Sequence, residues 1–94
     1  MTDGSKCLVL PGDYLAAEDS SLQEFLLTNQ KFAVRIDVGL LRRPDAMLVE
    51  HLLCAARTWR DHGLSFEVTN LTKANEVIFM SLGLKNHLNW RAVA

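Results

Sequence analysis

The segment "KFAVRIDVGLLRRPDAMLVEHLLCAARTW", residues 31–59, decides the fold. Its first nine residues, 31–39, place a large apolar side chain at every second position, namely Phe32, Val34, Ile36 and Val38. Successive side chains of a strand point to opposite faces, so this alternation predicts a strand with one face in the core. The intervening positions are mixed in character, and we therefore expect the other face to be only partly covered.

The second part of the segment continues into "DAMLVEHLLCAARTWRDHG", residues 45–63, and predicts a long helix. Its apolar stripe is spaced by three and four residues and comprises Leu48, Leu52, Ala55, Ala56 and Trp59, widened by Met47, Val49 and Leu53. Asp45 follows Pro44 and is expected to be the N-cap, because its carboxylate can accept from amides of the first turn. Gly63 is expected to end the helix.

Outward from this centre, strand and helix patterns alternate. Residues 6–12 are a predicted strand ended by a turn at Pro11 and Gly12, and residues 64–70 are another predicted strand. Residues 14–30 contain a predicted helix, which begins at the capping boxes of Ser20 and Ser21 or one turn earlier. Residues 71–84 form a further amphipathic helix, with a predicted apolar stripe of Leu71, Ala74, Val77, Ile78 and Leu82. The tail, 85–94, is left as a short strand or helix. Such alternation implies right-handed crossovers between parallel strands, and so an α/β fold with a small, mixed but mostly parallel sheet and helices mainly on one face.

Length and composition narrow the class of protein. The chain has 94 residues, so we expect residues 1–94 to form a single domain. The net charge of −1 disfavours a nucleic-acid-binding role, because phosphate-binding domains usually have a basic excess. No apolar run reaches the roughly 18 residues of a membrane span, and "MTDGSK" lacks signal-peptide character. We therefore expect a cytoplasmic protein with no membrane insertion.

Motifs of catalysis are missing from the sequence. It contains no glycine-rich nucleotide loop and no GxSxG elbow, and its three histidines are spread apart. Cys7 and Cys54 have no metal-ligand spacing, and we expect both to be small buried hydrophobes. The sequence thus predicts no enzyme activity, no metal and no cofactor.

The charged joint between strand and helix, residues 39–46, leaves two interpretations open. In one it is a solvated loop whose arginines face water and whose Asp45 is only a cap. In the other it is a contact surface, because Arg42 and Arg43 offer flat guanidinium groups at the carboxyl end of a strand, where open α/β sheets usually bind. The residues alone weigh these interpretations about evenly.

The overall pattern resembles the STAS domain, the fold of bacterial anti-sigma factor antagonists. The resemblance covers roughly residues 7 to 84 and is carried by "LVLPGDYLAAEDSSLQEFLL", "VRIDVGLLRRPDAMLVEHLLCAARTW" and "LSFEVTNLTKANEVIFMSLGL". It implies a STAS-like fold and a non-enzymatic protein-interaction module. In the family, a partner kinase phosphorylates a serine after an aspartate at the helix start. Asp37 and Asp45 match the family's aspartates, but Ala46 stands at the serine position and has no hydroxyl, so no phosphorylation is expected there.

The resemblance also suggests the kind of partner. The spacing of Arg57, Thr58, Trp59, Gly63 and Phe66 is similar to that of short STAS proteins encoded with bacterial chemotaxis genes. The alternatives are a cytoplasmic STAS subunit that binds the ATPase of a lipid-transport ABC complex, and a small-anion or nucleotide-binding regulatory domain.

We expect a protein partner of the histidine kinase, anti-sigma kinase or ABC ATPase type, and a homodimer stays open. The predicted partner-binding residues are Arg42, Arg43, Asp45, Ala46 and Glu50. For the anion-binding alternative, the arginines and the helix N-terminus would attract the ligand, although Asp45 already places negative charge at the same amides.

Overall fold

The computed structural model describes residues 4–93 and confirms the predicted alternation of strands and helices. The elements are β1 (Lys6–Val9), α1 (Ser21–Thr28), β2 (Val34–Asp37), α2 (Ala46–Asp61), β3 (Phe66–Leu71), α3 (Lys73–Ser81), one turn of 3₁₀ helix (Leu84–Asn86) and β4 (Trp90–Ala92). The tail therefore contains both a helical turn and a short last strand.

The four strands form one sheet in the order β1-β2-β3-β4, and each neighbouring pair is parallel. Since every crossover steps to the adjacent strand in the same direction, right-handed connections place all the helices on one face. This confirms the expected α/β architecture, and the strands within residues 4–93 are parallel throughout.

The two faces of the sheet differ in burial as the alternation predicts. Val34, Ile36 and Val68 point toward the helices and are buried almost completely. The opposite face is polar: the Glu67 carboxylate lies 3.0 Å from Nε of Arg91 and 3.8 Å from Nε of Arg35. One face of the sheet is therefore core, and the other carries ion pairs in solvent.

Helix α2 is the main partner of the sheet. Leu48, Leu52, Ala55 and Trp59 are buried along its core-facing side, and the Trp59 indole N–H donates to the Phe32 carbonyl at 2.7 Å. The prediction was wrong for Met47, which is 44% exposed. Met47 is displaced by about 100° around the helix from its buried neighbour Leu48, so its side chain lies off the core stripe.

The first predicted helix begins at the serine pair, the later of the two starts that its sequence allows. Residues 14–20 form turns and loop, and α1 begins at Ser21. Polar contacts hold those turns: the Tyr14 hydroxyl donates to the Asp19 carbonyl at 3.1 Å, and the Asp19 carboxylate accepts from the Ser21 amide at 2.8 Å. Side-chain bonds to nearby backbone compete with helix formation, which explains the late start.

Three further burial predictions were wrong. Cys7 and Cys54 are exposed, not buried, because Cys7 lies on the open face of an edge strand and Cys54 on the outer side of α2. Phe32 precedes β2 and is 42% exposed. Its ring instead packs beneath the Lys6 ammonium, which lies 4.8 Å from the ring centroid.

The apolar stripe predicted for α3 has the wrong phase. Val77 is 65% exposed and Leu82 is 56% exposed, whereas Asn75 and Phe79 face the core. The Phe79 ring meets Trp90 of β4 edge-on, with centroids 5.6 Å apart. Packing against β4 therefore sets the rotation of α3.

Candidate functional site

The 39–46 loop connects the carboxyl end of β2 to the first turn of α2. Its base is closed by Asp37, whose two carboxylate oxygens accept from the Gly39 amide and from the Asn70 side-chain amide, both at 2.9 Å. Asn70 itself has a positive φ of 58° at the end of β3. Asp37 thus ties the ends of two neighbouring strands together and starts the turn at Gly39.

Asp45 fixes the other end of the loop and confirms the predicted N-cap. One carboxylate oxygen accepts from the Leu48 amide at 2.7 Å, and the other accepts from the Ala16 amide at 3.3 Å. The first bond caps α2, while the second attaches the turns that follow β1. Because both oxygens are committed to backbone amides, the Asp45 side chain shapes the surface from beneath it.

A second bridge joins the same two segments. The Arg42 amide donates to the Gly12 carbonyl at 3.0 Å. A Cβ added at Gly12 would lie 2.9 Å from the Leu40 carbonyl oxygen, so the two backbones pass closer than any side chain would allow. Residues 12–16 and 39–46 therefore form one connected surface.

Asn75 of α3 supports this surface from the core, a role that the sequence reasoning missed. It is 1% exposed, and its side-chain amide donates to the Leu41 carbonyl at 3.0 Å. No local signal pointed to it, because Asn75 lies beside the predicted apolar stripe of α3 and not within it. The bond satisfies a buried carbonyl of the loop and links the loop to α3.

The outer side of the surface is positively charged. Arg42 and Arg43 are exposed, and within residues 4–93 neither guanidinium has a hydrogen-bond or ion-pair partner. Ala46 is exposed at the first position of α2, and Glu50 is exposed one turn later. The structure thus places four of the five predicted partner-binding residues in solvent at one end of the molecule, with Asp45 partly buried among them.

Two apolar side chains at the same end were not among the predicted site residues. Leu40 is 65% exposed and Met47 is 44% exposed. Both flank the arginines in the chain. Arginine and methionine are both enriched at protein interfaces.

The electrostatics of the surface involve Tyr14, which is 3% exposed beneath the turns. Burial raises the pKa of its phenol above the ordinary 10.0, and the charges of Asp19 and Asp45 raise it further. The pKa of Asp19 is lowered by its bonds from Ser21. At neutral pH Tyr14 is therefore a neutral donor and Asp19 an anionic acceptor, as their hydrogen bonds require.

Two grooves of the described part of the chain lie away from the loop. One of about 520 Å³ lies between α1 and α2, one of about 360 Å³ lies beside the end of α2, and no residue from 39 to 46 lines either of them. Within residues 4–93, no group of three or more histidine, cysteine or acidic side chains is placed to hold a metal ion. No helix in this range is long and apolar enough to span a bilayer.

The chain is similar to known proteins in sequence and in fold. A family model described as "Mlab, STAS domain" matches residues 1–89. The chain is similar in structure to a serine-to-glutamate variant of RsbS from Moorella thermoacetica, with a TM-score of 0.72 and 18% sequence identity over 100% of this chain and 86% of that chain. No curated protein matches. The structural likeness shows that the two chains share a fold.

Proposed function

Because the chain belongs to the STAS domain family, we propose that it is a cytoplasmic, non-enzymatic interaction module of a bacterial signalling system, of the anti-sigma factor antagonist type. It binds a protein partner through the docking surface, which we define as the 39–46 loop with the first turns of α2. The observation that carries this proposal is the pair of exposed, unpaired arginines, Arg42 and Arg43, on a loop held rigid from below.

The rigidity of the docking surface favours binding. Ordering a mobile loop on association costs conformational entropy, and a loop that is already ordered avoids that cost. Here the loop is held by Asp37, Asp45, Gly12 and Asn75 through the contacts described above. The arginines are therefore presented at fixed backbone positions, and only their side chains lose freedom on binding.

The partner should present acidic and apolar groups. Arg42 and Arg43 can each form two parallel hydrogen bonds with a carboxylate, and Leu40 and Met47 supply apolar area. Ala46 carries no hydroxyl, so we propose that this position is not phosphorylated and that docking does not depend on a phosphoryl switch there.

For the pathway, we propose chemotaxis signalling with a kinase as the partner. The support is the resemblance of the segment from Arg57 to Phe66 to short STAS proteins encoded with chemotaxis genes. An ATPase of a lipid-transport ABC complex is the alternative partner.

Site-specific photo-crosslinking in the native cell tests the docking surface. A photoreactive amino acid is placed at position 43 and, in a second strain, at position 62, which is exposed at the opposite end of α2 from the loop. We expect position 43 to crosslink to one acidic-faced protein, a kinase or an ATPase, that position 62 does not capture. Capture of the same proteins from both positions, or of none from position 43, would contradict the proposal.

A further inference from the structure

A second charged surface lies at the opposite end of the sheet, where α2 ends and the 3₁₀ turn leads into β4. Two grooves meet there, of about 360 Å³ and about 260 Å³. Arg60 and His87 line both grooves, so the two form one continuous surface. We refer to it as the basal groove.

The basal groove is lined by cations without anions. Arg57, Arg60 and Lys85 line it together with His87, and no acidic side chain does. Within the described part of the chain, none of these four side chains has a hydrogen-bond or ion-pair partner. By contrast, the arginines on the outer face of the sheet have an acidic partner: Arg35 and Arg91 both lie beside Glu67.

This arrangement is unfavourable for the protein alone. Arg57 and Arg60 are three residues apart on α2 and so lie on the same side of the helix, where like charges destabilise it. The negative end of the helix dipole favours basic residues in the last turn. It does not explain why Lys85 and His87, from a different segment, converge on the same groove. An anion seated between the arginines and Lys85 would offset the repulsion among these three charges, and His87 lies on the same surface.

The floor of the groove shows which anion would fit. Phe66 and Leu88 are buried there at 4% exposure each, Leu64 is partly buried, and the side chain of Asn89 lies at the rim. An apolar floor with a few converging polar groups is typical of sites for small organic ligands, whose volumes begin near roughly 300 Å³.

We propose that the basal groove binds a small soluble organic phosphate. Arg60, Lys85 and His87 hold the phosphoryl group, and the apolar part of the ligand rests against Leu64 and Leu88. A guanidinium group binds phosphate with two parallel hydrogen bonds and an ammonium acts as a point charge, so the two provide geometry and attraction together. This site is separate from the docking surface and does not depend on its function.

Titration of the ¹⁵N-labelled full chain by NMR tests the site, with adenosine monophosphate, adenosine and inorganic phosphate as probes at constant ionic strength. We expect saturable shifts from adenosine monophosphate at residues 63–66 and 85–89, weaker saturable shifts at the same residues from phosphate, and none from adenosine. Absence of saturation for adenosine monophosphate, or equal shifts throughout the basic surface, would overturn the proposal.

Matched variants locate the binding. The double variant Arg60→Gln with Lys85→Gln should lose about tenfold or more in affinity for adenosine monophosphate, as expected for charge-assisted hydrogen bonds. Arg42→Gln with Arg43→Gln removes the same charge at the other end and should leave the affinity unchanged. Equal loss in both variants would show nonspecific attraction and overturn the proposal. So would binding to anionic phosphatidylglycerol vesicles that adenosine monophosphate does not compete away.

Discussion

At the scale of single residues, Asp45 has two structural roles. It caps α2 through Leu48 and holds the neighbouring turns through Ala16. The cap could be predicted from the sequence, because an aspartate directly before an apolar helical stripe is a typical N-cap. The bond to Ala16 could not, since the two residues are 29 positions apart and nothing in the local pattern relates them.

Replacing Asp45 tests this double role. We expect Asp45→Ala to lower the free energy of unfolding by roughly 1–2 kcal/mol, because it removes the cap and leaves the Leu48 and Ala16 amides without their acceptor. Asp45→Asn keeps an acceptor oxygen and should cost less. Asp13→Ala, at an exposed position, should change stability by no more than about 0.5 kcal/mol. Urea denaturation measures all three, and equal effects at positions 13 and 45 would contradict the role of Asp45.

Tyr14 provides a pH test, because it is the single tyrosine of the chain. Its pKa is raised in the fold by burial and by the charges of Asp19 and Asp45. A raised pKa means that the protonated form stabilises the folded state. This contribution is fully present below the unfolded pKa of about 10 and is lost as pH rises through the folded pKa. Phenolate absorbance should therefore show a higher midpoint in the folded protein than in urea. Coinciding midpoints would show that Tyr14 is not buried as described.

At the scale of elements, the strands and α2 followed from periodicity, whereas the rotation of α3 did not. The spacing of Leu48, Leu52 and Trp59 admits a single buried face for α2. In α3, apolar side chains occur on several sides, and β4 determines which of them are buried through contact between Phe79 and Trp90. Periodicity identifies a helix, but tertiary packing selects its inner face when the stripe is wide.

For the candidate site, too, the sequence predicts some features and not others. Its place at the strand-to-helix joint and the exposure of Arg42 and Arg43 could be expected from a charged, proline-containing loop. Exposure of Met47 and support by Asn75 depend on which sides of α2 and α3 pack against the sheet. Neither is encoded within a few residues of the loop.

The contact between the turns after β1 and the 39–46 loop can be tested with glycine substitutions. Gly12→Ala places a methyl group against the Leu40 carbonyl, and we expect it to cost about 1–3 kcal/mol and to weaken partner binding by displacing the loop. Gly63→Ala is the control: its φ of +71° makes the substitution cost roughly 1–2 kcal/mol, but it lies far from the loop. Stability is read from urea denaturation and partner affinity by calorimetry. If both variants bind the partner equally well, the two backbones do not shape the docking surface.

At the scale of the whole molecule, two basic regions lie at opposite ends of the sheet. Arg42 and Arg43 lie at the carboxyl ends of the strands, and Arg57 and Arg60 lie toward the opposite end of α2. The net charge of the chain is −1, so attraction to an acidic partner has to come from such local regions and not from overall charge. Each region can therefore be altered without altering the other.

The most direct test of the docking surface compares two charge-reversal variants that change the net charge of the chain equally. For each variant, calorimetry measures the affinity for the partner that crosslinking has identified. We predict that Arg42→Glu with Arg43→Glu weakens binding by about tenfold or more. Arg57→Glu with Arg60→Glu should leave it within about twofold, because exposed charges distant from the interface are largely screened by salt. Unchanged affinity in the first variant, or the same loss in both, would contradict docking through the 39–46 loop.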